Sequence, residues 1–445
     1  MNMSDLNVLG QVSPQVAERA QNPRNYGPLE DWDGHARLTG DCGDTMEFWL
    51  KVTNQQVVCV GFTTTGCGSS RAAGSMATEL VVNKSADEAG FLEPADILKA
   101  LGGLPRDSEH CAALASSTLR AAIGDYFART RAQGRNRSES GDCGTCSSAE
   151  CPSKQRQHNE SEEQFRERQA LARKMCQIGY KLLVMSGKGG VGKSTVAANL
   201  AASLALAGKS VGLLDVDIHG PSIPKLMGLE RERLVAHGQE IVPIEIGNLK
   251  VMSIGLLLPS ATDAVIWRGP MKYTAIRQFL KDVNWGALDY LVIDAPPGTG
   301  DEPLSVAQLV GQPAGAVLVT TPQDLAVADV RRSVSFCEKV GLPVAGIIEN
   351  MSGLACPHCG GRIELFKTGG GKSLAREMGV PFLGSVPIDP EIVQCGDRGT
   401  PYAHQFAESP AAKALAVIVD RIVAASPRKG SCPEPLPPLA ERSWF

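Results

Sequence analysis

At 445 residues the chain exceeds what one ordinary hydrophobic core holds, and length alone predicts two or three domains. Hydrophobic residues make up 43% and charged residues 21%, the balance of a globular protein rather than a disordered or fibrous one. A formal net charge of −4 gives no electrostatic reason to expect nucleic acid as a partner. The opening MNMSDLNVLGQVSPQ lacks a basic stretch followed by an apolar run, and no run of about 18 apolar residues occurs anywhere. The expectation is therefore no secretory leader, no membrane span and a cytoplasmic location, where thiols stay reduced. The thirteen cysteines then read as small core residues or metal ligands rather than a disulfide framework.

Residues 1–130 predict a small α+β unit. Thr45-Met-Glu-Phe-Trp-Leu-Lys-Val and Gln56-Val-Val-Cys-Val-Gly-Phe alternate as strands, with a hairpin turn at Thr53-Asn-Gln and helical spacing over 112–127. Three cysteines stand apart here: Cys42 in Asp-Cys-Gly-Asp44, Cys67 in Gly-Cys-Gly68, and Cys111 after His110. Glycines beside the first two predict exposed, sharply turning loops, although spacing alone reveals no site. Cys59, on a strand, and Cys337, at helical spacing, are expected in the core; Cys176, Cys395 and Cys432 have no interpretable partner.

Residues 131–175 are polar, with almost no large apolar side chain before a charged helical stretch near 163–174, and predict a linker. Cys143-Gly-Thr-Cys146 with Cys151 gives C-x2-C-x4-C, three ligands for a cluster or a metal relay, or else redox-active or idle thiols. Residues 176–426 alternate strand and helix. Continuous apolar runs begin at Lys181, Val211, Tyr290, Gly315 and Val344, which predicts an α/β domain with a mostly parallel sheet covered by helices on both faces. A proline-rich tail, 427–445, follows.

Gly187-Lys188-Gly189-Gly190-Val191-Gly192-Lys193-Ser194-Thr195 follows the first of these strands and opens an Ala-rich helix. Such glycines turn backbone N–H groups toward phosphate oxygens, and the helix N-terminus adds partial positive charge. Lys193 is expected on the β- and γ-phosphates of ATP, and the Ser194 hydroxyl on Mg²⁺. Asp294 ends the strand Leu291-Val-Ile-Asp, where a Mg²⁺-side carboxylate belongs. Asp215-Val-Asp217 ends the second strand, with Asp215 as readily a turn or cap residue as a direct participant. Cys356-Pro-His-Cys359 is a C-x2-C knuckle, half the ligands of a zinc ribbon or of a cluster.

The second lysine, Lys188, makes the loop resemble the deviant Walker A class that includes MinD, the nitrogenase iron protein and the Mrp/ApbC family. Asp217-Ile-His-Gly-Pro-Ser222, Trp267-Arg-Gly-Pro-Met271, Asp294-Ala-Pro-Pro-Gly-Thr-Gly-Asp-Glu302 and Gly384-Ser-Val-Pro-Ile-Asp389 are similar to the Mrp/ApbC branch over roughly 180–405. The resemblance implies an ATPase that carries iron–sulfur clusters as a homodimer. It implies that Lys188 crosses to the partner's nucleotide, that Asp217 positions the attacking water, and that Asn350 and Pro387-Ile-Asp389 border the adenine. It also implies that Cys356 and Cys359 of two protomers share one [4Fe–4S] cluster. Asn22-Pro-Arg-Asn-Tyr-Gly, Cys42-Gly-Asp-Thr-Met, Thr64-Thr-Gly-Cys-Gly-Ser and His110-Cys111 resemble the IscU/NifU-type scaffold over about 20–127. That resemblance implies a labile [2Fe–2S] cluster or zinc held among Cys42, Asp44, Cys67, His110 and Cys111. A cysteine desulfurase and apo iron–sulfur proteins are the implied partners, with neither nucleic acid nor membrane. The Pro-Arg-Asp-Ser-Glu stretch at 105–109 departs from the basic, hydrophobic segment expected before His-Cys and puts docking to particular chaperones in doubt. The competing expectation is a zinc-stabilised regulatory or positioning ATPase of the MinD/ParA type. A redox protein like the nitrogenase iron protein is a further rival.

Overall fold

The computed structural model describes residues 12–40, 42–53, 55–133, 155–156, 160–218, 220–230, 232–238, 240–257, 269–355, 361–406 and 408–427. The chain divides into two units, Met1–Glu139 with Glu245–Asn248, and Ser140–Ile244 with Leu249–Phe445. Cys143, Cys146, Cys151, Trp267, Arg268, Cys356, Cys359 and the tail from 428 lie outside the described residues.

In the first unit β1 (Gly34–Thr39), β2 (Thr45–Thr53) and β3 (Gln56–Thr64) form an antiparallel sheet in chain order. Alternation along β2 sends Met46, Phe48 and Leu50 to one face, where each is fully buried. Helices α1 (Pro14–Gln21), α2 (Gly68–Val81) and α3 (His110–Gln133) supply Val16, Ala73, Ala77, Leu119 and Ile123 to the same core. Gly74 lets α2 lie on the Phe62 ring, which a Cβ would strike. Cys59 is not a core residue: it is exposed. The β2–β3 register slips between Lys51 and Val52, so that Lys51 pairs with Cys59 but Val52 with Val57. The extra residue, Val58, breaks the alternation and leaves two successive side chains, Val58 and Cys59, facing outward.

The second unit is built on an eight-stranded sheet. Its strands are β4 (Ile178–Ser186), β5 (Val211–Asp215), β6 (Ile244–Ile246), β7 (Leu249–Ser253), β8 (Leu288–Asp294), β9 (Ala314–Thr320), β10 (Val344–Glu349) and β11 (Phe382–Ser385), in the spatial order β11-β10-β9-β4-β8-β5-β7-β6. All pairs from β11 to β7 are parallel. Leu183, Met185, Leu214, Leu291, Ile293 and Leu318 join one core cluster with helices α4 (Glu162–Cys176), α6 (Gly269–Asp282), α7 (Asp301–Val310), α8 (Asp324–Val340) and α9 (Gly370–Met378). The alternate residues Leu182, Val184, Leu213, Val292 and Val317 are equally buried and point to the opposite face. There α5 (Lys193–Leu206) packs on β4, β5 and β8. Burial on both faces is why these strands read as unbroken apolar runs.

Helix α4 opens on a capping box of Ser161 with Gln164 and puts Leu171 and Met175 into the core. The second unit thus includes residues 162–176, a charged helix with only two buried apolar side chains. From β4 the chain crosses to β5 on one side, and from β8 it crosses to β9 on the other. The carboxyl ends of β4, β8 and β5 therefore border the point where the winding reverses, the usual crevice of such sheets.

Candidate nucleotide and metal sites

The loop after β4 is shaped by what its glycines permit. A Cβ on Gly187 would meet the Asp329 backbone and side chain at 2.5 Å, so the loop rests directly on α8. Gly190 and Gly192 have φ of +81° and +80°, the left-handed region that favours glycine. The Asn350 side-chain amide donates to the Val191 carbonyl (2.9 Å) and fills the space a Cβ on Gly192 would need. The loop runs directly into the N-terminus of α5, where unpaired helix N–H groups and the helix dipole favour an anion.

That cavity has a volume of about 910 Å³, within the range of small-molecule sites. Lys188, Gly189, Gly190 and Gly192 line it together with Lys193, Ser194 and Thr195. Asp217 enters from the loop after β5, and Asn350, Pro387 and Asp389 close the far side. Gly187, Val191 and Asp294 stand behind this lining. Asp389 is tied down by capping Glu391 N (3.0 Å) at the start of α10 (Pro390–Arg398) and by accepting the Tyr402 hydroxyl.

Asp294 and Asp215 lie opposite one another in the β8–β5 register, both fully buried. One Asp294 oxygen takes the Lys193 ammonium, whose Nζ also lies 3.2 Å from Ser194 Oγ. The other oxygen, Oδ2, is buried and has no hydrogen-bond partner among the described residues. An orphaned carboxylate oxygen near a serine hydroxyl is the hard-oxygen donor set that Mg²⁺ takes. Burial pushes the Asp294 carboxyl above its usual range, and Lys193 works against that shift. Burial, and then the neighbouring Asp294, push the Asp215 carboxyl above its usual range. It accepts from Asp217 N (3.0 Å), Ile223 N (3.3 Å) and Ser253 Oγ (3.0 Å). Asp215 is thus an anchor for the loop 216–223, and Asp217 is the member of the pair that faces the cavity, where it accepts from Gly220 N (3.3 Å).

In the first unit the structure brings Asp44, Cys67 and Cys111 around one side chain, with His110 beside Cys111 and Cys42 on the turn before Asp44. Cys42 lies on an exposed turn that Gly40 N closes on Asp44 O (2.9 Å); Cys67 is exposed at the N-cap of α2; His110 and the buried Cys111 open α3. A residue that sequence reading missed sits between them. The buried Ser70 Oγ lies 3.0 Å from Asp44 Oδ2, 3.2 Å from Cys111 Sγ and 3.9 Å from Cys67 Sγ. Cys111 Sγ is 3.7 Å from His110 Nε2. Among the described residues no three His, Cys, Asp or Glu side chains are close enough together to hold a metal as they stand. The set is gathered but spread around a serine hydroxyl. The neighbouring Cys111 lowers the Cys67 thiol to about 5, while Cys67 and burial raise Cys111. Gly66 gives this cluster room, since a Cβ there would collide with Asp44 and Ser70.

Comparison with known proteins places both units in families. A family model described as the NUBPL iron-transfer P-loop NTPase matches residues 177–423, and one for the NifU-like N-terminal domain matches 11–133. An iron-sulfur cluster carrier protein of Methanocaldococcus jannaschii is 46% identical over 285 residues, 64% of this chain and 96% of that protein. The bovine cytosolic Fe-S cluster assembly factor NUBP2 is 48% identical over 255 residues, 56% of this chain and 94% of the relative. A solved nucleotide-binding protein from Archaeoglobus fulgidus, in complex with ADP, is 41% identical, covers 55% of this chain and 94% of its own, and superposes with a TM-score of 0.49. The P-loop match spans more than half of the sequence, and the chain belongs to the NUBPL/Mrp-type iron–sulfur carrier P-loop NTPases, with a NifU-like domain at its N-terminus.

Proposed function

We propose that this protein hydrolyses ATP to govern the movement of iron–sulfur clusters from the N-terminal thiols, through a site shared by two copies of the chain, to apoproteins in the cytoplasm. The observation that carries the reading is one chain holding both a P-loop cavity of about 910 Å³ and a gathered set of three thiols. In the cavity Lys193 would leave Asp294 for the β- and γ-phosphates, the Gly189–Gly192 backbone would cradle them, and Asn350, Pro387 and Asp389 would border the base. Asp217 would orient the attacking water, and Lys188 would reach the nucleotide of the partner subunit. Mg²⁺, held by Ser194 and the free oxygen of Asp294, would neutralise the developing phosphate charge.

In the first unit Cys42, Cys67 and Cys111 would hold a nascent [2Fe–2S] cluster or zinc, with Asp44 and His110 beside them and a cysteine desulfurase as sulfur donor. Closing that site would displace the Ser70 hydroxyl from between Asp44 and Cys111. Cys356 and Cys359 of two protomers would share a [4Fe–4S] cluster, with Cys143, Cys146 and Cys151 as a relay. The deciding experiment is Mössbauer typing of iron in the anaerobically reconstituted chain and its Cys356→Ser variant, with phosphate release measured in parallel. A shared cubane predicts about 4 Fe per dimer lost in the variant, with N-terminal iron retained. Zinc with no iron in both proteins would instead support a metal-stabilised regulatory ATPase.

A further inference from the structure

The end of β10 holds a buried carboxylate that the site described above does not use. Glu349 is fully buried. Its Oε1 accepts from Ser352 Oγ (2.6 Å) and from Gly369 N (2.9 Å), and its Oε2 accepts from Gly371 N (2.6 Å). Those donors stand at the two ends of residues 353–368, the segment that carries Cys356 and Cys359. One carboxylate therefore pins both ends of that excursion and caps α9 as well. The fit is tight. A Cβ on Gly370 would lie 2.6 Å from Pro322 O, and one on Gly371 would lie 3.0 Å from Thr320 and 3.2 Å from Glu349.

The next residue points the other way. Asn350 N donates to Thr320 O (2.7 Å), while its side chain holds Val191 O in the phosphate loop. Ser352 N and Val386 N bond Val386 O and Glu349 O at 2.9 and 2.8 Å, which ties the same turn to the strand leading into Pro387 and Asp389. Two successive residues thus connect the loop, the far wall of the cavity and the base of the cysteine-bearing segment through short, buried, directional bonds.

We propose that Glu349 and Asn350 are a positioning pair that couples occupancy of the phosphate loop to the base of segment 353–368. A nucleotide that draws the Val191–Gly192 peptide toward its phosphates moves Asn350, and the adjoining carboxylate transmits that shift to Ser352, Gly369 and Gly371. The inference rests on the reading that the loop binds nucleotide, and the test separates the two.

Amide hydrogen exchange of the full chain, with Mg·ADP as probe and calorimetry to establish saturation, reads the coupling directly. In the unaltered chain, saturating Mg·ADP should slow exchange over 369–373 by about tenfold, together with that over 189–195. Asn350→Ala also alters the cavity wall, so this variant is saturated at its own calorimetric affinity, and the ADP effect at 369–373 should then disappear. Glu349→Gln cannot accept at both oxygens. Amides 369 and 371 should exchange quickly with and without ADP, while ADP affinity stays within about threefold and the alkylation rate of Cys356 and Cys359 stops responding to ADP. A persisting ADP effect at 369–373 in Asn350→Ala overturns the proposal, as does an unaltered chain that binds ADP with no change there. A chain that binds no ADP overturns the nucleotide reading and the coupling with it. Should Glu349→Gln not fold, Asn350→Ala decides alone.

Discussion

The phosphate loop offers main chain: glycines that admit left-handed φ, one carbonyl tied by Asn350, and two carboxylates buried behind them. The thiol cluster offers side chains from three separate elements, two of its cysteines exposed, around a serine hydroxyl. The first arrangement fixes its donors before any ligand arrives, because moving them means moving a strand end or a helix. The second presents two of its three sulfur atoms at the surface, which suits a cargo that must come and go. Rigidity belongs where chemistry is done repeatedly on one ligand, and access where a ligand is handed on.

The sharpest way to test that contrast is Lys193→Ala. Phosphate release should fall by about a thousandfold, since one preorganised cation on the transferring phosphoryl group is lost, while zinc or iron retained at Cys42, Cys67 and Cys111 stays unchanged. Coupled loss of both would mean that the two sites are not independently built. Next in size, Asp215→Ala removes the acceptor for two backbone N–H groups and a hydroxyl in a fully buried position. It should lower unfolding free energy by about 2–4 kcal/mol in denaturant titrations. Ser70→Ala, at the adaptable site, should cost under about 1 kcal/mol by the same measurement. Equal costs would erase the distinction.

A smaller effect reads the thiol pair. Cys67 alkylation by iodoacetamide should stay near its maximum from pH 8 to 6 and fall by half near pH 5, because Cys111 hydrogen-bonds its thiolate. In Cys111→Ala that midpoint should move up by at least one unit, which slows the reaction about tenfold at acid pH. A pH-dependent effect belongs to Glu93, raised to about 7 by burial. The folded unit holds this proton where the unfolded chain has released it. Its stabilising contribution is complete below about 4.5, the unfolded value, and is lost as pH rises through about 7. Glu93→Gln should flatten that decline, roughly 3 kcal/mol at most, in the exchange rates of the slowest β2 amides.

Much of the second unit is legible because its signals are local. The run Val211-Gly-Leu-Leu-Asp is a strand over the same five residues, and the spacing of Lys193 and Ser194 after four glycines fixes a cradle before any tertiary contact is known. Thiols from distant parts of the sequence carry no such signal, so resemblance alone pointed to Cys42, Cys67 and Cys111, and nothing pointed to Ser70. Asn350 was expected beside the base; its bond to Val191 is invisible in sequence because it depends on where β10 ends relative to β4. The bulge that exposes Cys59 is likewise a property of the pairing between two strands, not of either strand's composition.

Lys181 stands in β4, the strand that feeds the phosphate loop, with its ammonium 3.4 Å from the Met175 carbonyl that ends α4 and only 1% of its surface accessible. Burial lowers its pKa to about 8, so near neutrality much of this amine is charged yet out of reach. An acylating reagent that modifies every surface lysine should therefore spare it until the central strand parts from its neighbours. Tracked by mass spectrometry, its acylation would count the openings of the sheet in a crowded extract as well as in pure solution. The chain carries its own gauge of integrity, written into the strand on which its chemistry depends.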